Sequence, residues 1–193
     1  MNRLGDNLAL LQRCHDGEKY LFAVRCAEVA LAGHEFAMAH NPAISSPTDF
    51  RPLVDLLWRK ETAMDEEWLP ALEELMNTDS ALANAHFSVY FADLAIRCLN
   101  TQEDMNLTLI ENFFFTFLDL FKGIAWQSHN LAFDIQSEEE FLRSPTMDVE
   151  LHEQHSLLNL LMSNAYDVDA IKRHAYSYGE AIFHKVDPNL GSP

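Results

Sequence analysis

Hydrophobic positions recur along this chain at the three- and four-residue spacing of helices, and no stretch shows the strict alternation of a strand. The clearest case runs from Glu18 to Ala39, where the apolar seam is Phe22, Cys26, Val29, Gly33 and Phe36. Gly33 in this seam would let a neighbouring helix approach closely. The pattern predicts a long helix with one buried face, which leaves His34, Glu35 and His40 on its outer face or at its end.

A second segment is apolar over most of its circumference. From Met105 to Trp126 it carries five phenylalanines, while its polar residues form one narrow stripe through Asn112, Thr116 and Asp119. A helix that is apolar nearly all round must be covered by other helices or by a partner chain. The pattern therefore predicts a central apolar helix near residues 103–126. We expect it to form the core of its own chain, and a dimer interface or a cavity wall is the alternative.

Capping residues and turn-forming residues divide the rest of the chain into six further helices. Asp167 is a predicted N-cap of the last one. The predicted segments are Asp6–Cys14, a helix starting at Thr48 or Asp49, a short helix from Pro70, Ala81–Leu99, Thr146–Ser163 and Val168–Lys185. The predicted fold is thus all-α: one multi-helix bundle of about eight helices over residues 1–186, with a flexible C-terminal tail at 187–193.

Composition favours a soluble protein of the cytoplasm. The chain has 193 residues, of which 48% are hydrophobic, enough to bury a core. The N-terminus lacks the apolar stretch of a signal peptide, and three charges interrupt the Phe-rich segment, which argues against a membrane span. The cysteines form no Cys-x-x-Cys pair and lie in helical patterns, as is typical of buried thiols in a reducing compartment: Cys14, Cys26 and Cys98.

The formal net charge of −17 is unevenly distributed. Residues 1–60 carry seven Lys/Arg and seven Asp/Glu, whereas residues 61–193 carry six Lys/Arg against 23 Asp/Glu. Such a chain repels nucleic acid and anionic membranes and attracts basic partners. The simpler interpretation is that the acidic residues cover the outer faces of helices and keep the protein soluble.

The densest cluster of candidate metal ligands is Glu150, His152, Glu153 and His155 in the seventh predicted helix. Di-iron bundles need two Glu-x-x-His pairs, and this chain contains none; the His-Glu-x-x-His pattern of zinc proteases is also absent. We therefore predict that these residues lie on the solvated side of their helix. No nucleophile elbow or glycine-rich phosphate loop occurs either, so the sequence predicts no catalytic, cofactor-binding or metal-binding residue.

Four segments resemble the small YjaG-type bacterial proteins, known as domain of unknown function 416. They are EKYLFAVRCAEVAL, DFRPLVDLLW, SVYFADLAIRCL and SPTMDVELHEQHSLLNLL. The matching positions are Phe22, Cys26 and Glu28, then Asp55 to Trp58, then Val89, Tyr90 and Ala92, and finally Pro145, Glu150 and Gln154. The resemblance implies an all-helical cytoplasmic protein, and it brings no activity, cofactor or catalytic residue.

Three functional hypotheses follow. The leading one is a non-enzymatic helical protein that binds another macromolecule, either a second copy of itself or a basic protein. The second is a metal-dependent or small-molecule-processing helical enzyme that uses His152 and His155. The third is an acidic inhibitor that masks the nucleic-acid-binding surface of a basic partner.

Overall fold

The computed structural model describes residues 3–44, 46, 48–61, 68–80, 82–100, 107–129 and 141–187. Over these residues the chain forms eight α-helices and no strand, which confirms the predicted all-α bundle. The helices are α1 (Arg3–Arg13), α2 (Asp16–His40), α3 (Arg51–Arg59), α4 (Trp68–Met76), α5 (Ala85–Asn100), α6 (Leu107–His129), α7 (Pro145–Met162) and α8 (Val168–Phe183). Residues 103–106 of the predicted apolar helix, and the predicted tail from residue 188 onward, lie outside the described residues.

The helix that the others surround is α2. All of its residues from 21 to 34 are buried, and α3, α5, α6, α7 and α8 pack against it. Six alanines run through this helix. Alanine is the strongest helix former, and its small side chain lets neighbouring helices approach closely on every side. The prediction that α2 buries only one face is therefore wrong.

The Phe-rich helix α6 lies beside α2 rather than at the centre of the bundle. It packs against α1, α2, α5 and α7, and its buried side chains include Phe113, Phe114, Phe117 and Phe121. One phenylalanine, Phe115, is 49% exposed. The Phe-rich face thus belongs to the core of its own chain, as expected. The helix at the centre of the bundle is α2 instead, because its shorter side chains leave room for more neighbouring helices.

Two glycines explain how closely α2 and α8 approach each other. A Cβ atom at Gly33 would stand 2.6 Å from the ring of Phe183, and one at Gly179 would stand 3.0 Å from the Cβ of Ala32. A larger residue at either position would force these neighbours to shift, so the close packing favours glycine. The close approach predicted at Gly33 is confirmed.

The last two helices are joined by a short connection and have well-defined ends. The hydroxyl of Ser144 accepts a hydrogen bond from the backbone N–H of Met147 (3.2 Å) and caps α7. Asn164, with a φ of 54°, reverses the chain after α7. The carboxylate of Asp167 then accepts from the N–H of Asp169 (2.9 Å) and caps α8, as predicted. Despite this short connection, α7 packs mainly on α1 and α6, whereas α8 packs mainly on α2.

The burial of α6 gives a direct test of the core. Phe117→Asp should prevent stable folding, because Phe117 is fully buried in the centre of the cluster. The new carboxylate would lie beside the Arg25 guanidinium, whose charge Glu150 already balances. It would therefore be an excess buried charge, which costs several kcal/mol against a total stability of about 5–15 kcal/mol. Phe115→Asp, two positions away on the exposed side, is the matched control and should keep the helical circular dichroism spectrum. If Phe117→Asp instead stays folded and changes only the oligomeric state, that face is an interface between chains.

Candidate binding pocket

A pocket of about 510 Å³ opens between α7 and α8. The space between the two helices follows from their packing on different neighbours, α7 on α1 and α6 and α8 on α2. Its lining comes from the second half of α7, the connecting loop, the first half of α8 and one residue of α2. The lining residues are Arg25, Glu153, Ser156, Leu157, Leu160, Ala165, Tyr166, Asp167, Ala170, Ile171 and His174.

The walls of the pocket are mostly apolar. Leu157 and Leu160 line one side on α7, and Ala170 and Ile171 line the other side on α8. Leu160 is 41% exposed, one of the few large hydrophobic side chains on the described surface. Apolar walls with a few polar groups at fixed positions are typical of sites that bind a ligand or a partner side chain.

Two carboxylates stand at the edge of the pocket. Nε2 of His174 donates a hydrogen bond to Oε2 of Glu153 (2.8 Å) and so joins α8 to α7 across the opening. The Glu153 side chain is 29% exposed and that of His174 is 63% exposed, so the carboxylate is the more buried of the two groups. Asp167, the N-cap of α8, is the second carboxylate, and Arg173 lies 3.9 Å from it.

The floor of the pocket is the guanidinium of Arg25, which comes from the central helix. Its Nη1 and Nη2 atoms donate to Oε1 and Oε2 of Glu150 on α7, at 2.5 and 3.1 Å. Both side chains are almost completely buried. The rings of Phe117 and Tyr178 lie against the same guanidinium, with their centroids 5.3 and 5.0 Å from its central carbon. Four helices therefore meet at this one side chain.

The Arg25–Glu150 pair neutralises the floor. Burial lowers the pKa of Arg25, but the adjacent Glu150 carboxylate raises it by more, so the guanidinium stays charged. Two parallel hydrogen bonds to one carboxylate are the strongest geometry available to an arginine. The floor is thus a fixed, internally balanced ion pair, and it does not offer a free cation to an anionic ligand.

A second buried carboxylate, that of Glu28 on α2, connects α2 to α3. Glu28 accepts hydrogen bonds from Nε1 of Trp58 (2.8 Å) and from Nη1 of Arg51, both on α3. Nη2 of Arg51 donates to Oε1 of Glu35 (3.0 Å). The central carbon of the same guanidinium lies 4.9 Å from the ring centroid of Tyr176 on α8. These contacts link α2, α3 and α8 and close the side of the bundle next to the pocket.

His34 lies inside the bundle, so the prediction that it occupies the outer face of α2 is wrong. It is only 1% exposed, its Nδ1 lies 2.9 Å from the hydroxyl of Ser88, and its ring stacks on Phe91 with centroids 5.4 Å apart. Burial lowers the pKa of His34 to about 4. The periodicity of α2 predicted an outer face, but α2 is buried on all sides from residue 21 to residue 34. Glu35 and His40, which follow this stretch, are exposed, as predicted.

His86 on α5 is a second histidine with a buried imidazole. Both of its ring nitrogens are buried, and the ring fits against Gly123 of α6 and the ring of Phe87, 4.0 Å away between centroids. Burial lowers the pKa of His86 to about 4. Gly123, which reads as part of the polar stripe of α6, is the position that makes room for this imidazole.

The structure separates the residues of the candidate metal cluster in α7. Glu150 is buried against Arg25, and Nδ1 of His155 donates to Oδ1 of Asn7 on α1 (3.0 Å), while His152 is exposed. The predicted solvated position holds for His152 and is wrong for Glu150 and for Gln154, which are buried. Within the part of the chain that the structure describes, no group of three or more His, Cys, Asp or Glu side chains is arranged to hold a metal ion.

Sequence reasoning missed Arg25, although the sequence contains a signal for it. Arg25 and Glu28 interrupt the long apolar and alanine-rich run of α2. A charge within a helix that is buried all round requires an opposite charge from another element. Glu150 is 125 positions away along the chain, however, and no local spacing identifies it as that partner.

Comparisons with known proteins identify no family for this chain. No protein-family model, no curated protein and no solved structure matches this chain, so the resemblance to the YjaG-type proteins stays a prediction. Among the described helices, none combines the length and apolar character needed to cross a bilayer.

The buried pair beneath the pocket gives a second prediction. Glu150→Gln should lower the free energy of unfolding by about 3–5 kcal/mol, because it leaves Arg25 charged and unpaired in the interior. The double variant Arg25→Met with Glu150→Met should lose much less, since it removes both charges at similar volume. Urea unfolding followed by circular dichroism measures both.

The exposed ion pair between Arg3 and Asp148, which also joins α7 to another helix, provides the control. Asp148→Asn should cost at most about 1 kcal/mol, as is usual for exposed pairs. If Glu150→Gln costs no more than Asp148→Asn, the buried pair does not have the structural role described above.

A third prediction concerns pH. Folding lowers the pKa of His34 and His86 from 6.5 to about 4, so between these values the unfolded chain binds more protons and stability falls as the pH falls. Each histidine should remove about 2 kcal/mol between pH 7 and pH 5. His34→Gln and His86→Gln should each flatten the pH dependence of the unfolding free energy over that range. An unchanged slope in the double variant would show that other groups cause the acid sensitivity.

Proposed function

We propose that this protein is a non-enzymatic cytoplasmic protein that acts by binding another macromolecule, and that the pocket between α7 and α8 receives an apolar side chain of that partner. The observation that carries the proposal is the combination of apolar walls with a floor whose charge is already balanced. Such a recess offers an apolar side chain a place to be buried without leaving a protein charge unpaired.

The polar groups of the pocket support binding over catalysis. Arg25 is held by Glu150, Glu153 by His174, and Asp167 by the backbone N–H of Asp169. Catalysis needs a positioned acid, base or nucleophile within reach of a substrate. Here these charged groups each have a partner within the protein, and His152 and His155, on which the enzyme hypothesis depends, are not part of the lining.

The charge of the chain supports a basic partner. The net charge is −17, and the edge of the pocket carries the carboxylates of Glu153 and Asp167. Complementary charge increases the association rate and favours the correct partner over others. A partner segment with an apolar face and flanking Lys or Arg side chains fits both the walls and the edge. The three cysteines, all buried and unpaired, are consistent with the reducing environment of the cytoplasm.

An amphipathic helical peptide built from Leu and Lys tests this proposal, with a Leu and Glu peptide of the same pattern as the control. We expect the Leu and Lys peptide to shift the backbone amide resonances around Leu157, Leu160 and Ala170 in the ¹⁵N-labelled protein, and the Leu and Glu peptide to leave them unchanged. Ala170→Trp should abolish the shifts by filling the pocket. Ala181→Trp, at an exposed position of the same helix outside the pocket, should not. Binding that is unaffected by Ala170→Trp would contradict the proposed site.

A further inference from the structure

The hydrogen-bonded pair at the pocket edge has a less exposed and a more exposed member. The Glu153 side chain is 29% exposed and that of His174 is 63% exposed. The imidazole of His174 is held from the other side by the ring of Tyr178, with centroids 6.1 Å apart and planes at 24°. A cation that binds Oε2 of Glu153 therefore takes the place of His174 on that oxygen.

The other charges at the pocket already have oppositely charged neighbours. Arg25 is balanced by Glu150, and Arg173 lies 3.9 Å from Asp167 and offsets part of its charge. Among the lining carboxylates, Glu153 is the one that no Lys or Arg of the described residues pairs with; its partner is His174, counted here as neutral. Glu153 is also partly withdrawn from water, where an ion pair is worth more than on an open surface.

We propose that Glu153 selects the partner by exchanging ligands: a Lys or Arg side chain of the partner replaces His174 on the Glu153 carboxylate while a neighbouring apolar side chain fills the pocket. The recognised segment is an amphipathic helix with a cation three or four positions from its apolar anchor, the spacing that places two side chains on the same face. This inference rests on the function proposed above and adds the residue that determines specificity.

The exchange makes a prediction that simple electrostatic attraction does not make. His174→Ala frees Glu153 without changing the formal charge of the protein, so the basic peptide should bind about threefold more tightly, as expected for the loss of one exposed competing contact. His184→Ala, an exposed histidine at the far end of the same helix, is the control and should leave the affinity unchanged.

Glu153→Gln should weaken binding of the Leu and Lys peptide about threefold. In the double variant with His174→Ala, the gain from removing the histidine should disappear, because no carboxylate remains to be freed. In the wild-type protein, the Nε2 resonance of His174 should shift as peptide is added, which reports the loss of its bond to Glu153. Fluorescence anisotropy at fixed salt gives the affinities.

Two outcomes separate this inference from the function on which it rests. If His174→Ala leaves the affinity unchanged while Ala170→Trp still blocks binding, the pocket is the docking site and the exchange at Glu153 is wrong. If Ala170→Trp has no effect, both the docking site and the exchange are wrong, and the acidic surface attracts the peptide without a specific site.

Discussion

The ion pair between Arg25 and Glu150 is the contact on which the arrangement of this bundle depends. It joins the central helix to a helix 125 positions away, and the rings of Phe117 and Tyr178 from two further helices pack against the same guanidinium. Removing both charges from water is costly, and a buried pair is a weak source of net stability. Its effect is positional: α7 must lie where its carboxylate meets the arginine, and that position sets the floor and one wall of the pocket.

Two other buried polar side chains of α2 also fix the positions of neighbouring helices. Its apolar surface is made largely of alanine and other small residues and would accept almost any apolar neighbour. Its polar side chains each contact a different helix: Arg25 contacts α7, Glu28 contacts α3, and His34 contacts α5. A buried polar group left without its partner costs more than an imperfect apolar contact. These three contacts therefore distinguish the native order of helices from alternative packings of the same hydrophobic faces.

Features encoded by neighbouring residues could be predicted from the sequence, whereas those that depend on distant residues could not. The Asp167 cap and the close approach at Gly33 follow from local spacing and residue size, and so do the helices themselves. The position of His34 depends on whether a helix is covered on one side or on all sides, which the periodicity of that helix alone does not reveal. The pocket depends on α7 and α8 packing on different neighbours. The sequence around Leu160 and Ala170 does not indicate which helices those neighbours are.

The place of α2 in the chain has a consequence for biosynthesis. The central helix lies near the N-terminus, yet the helices that cover it extend to residue 183. At typical translation rates of 5–20 residues per second, the 125 residues between Arg25 and Glu150 take about 6–25 s to synthesise. Throughout that interval residues 21–34 of the nascent chain lack the helices that bury them in the folded protein, and Arg25 lacks its counter-ion. The core around α2 is therefore completed only after α7 and α8 have been synthesised.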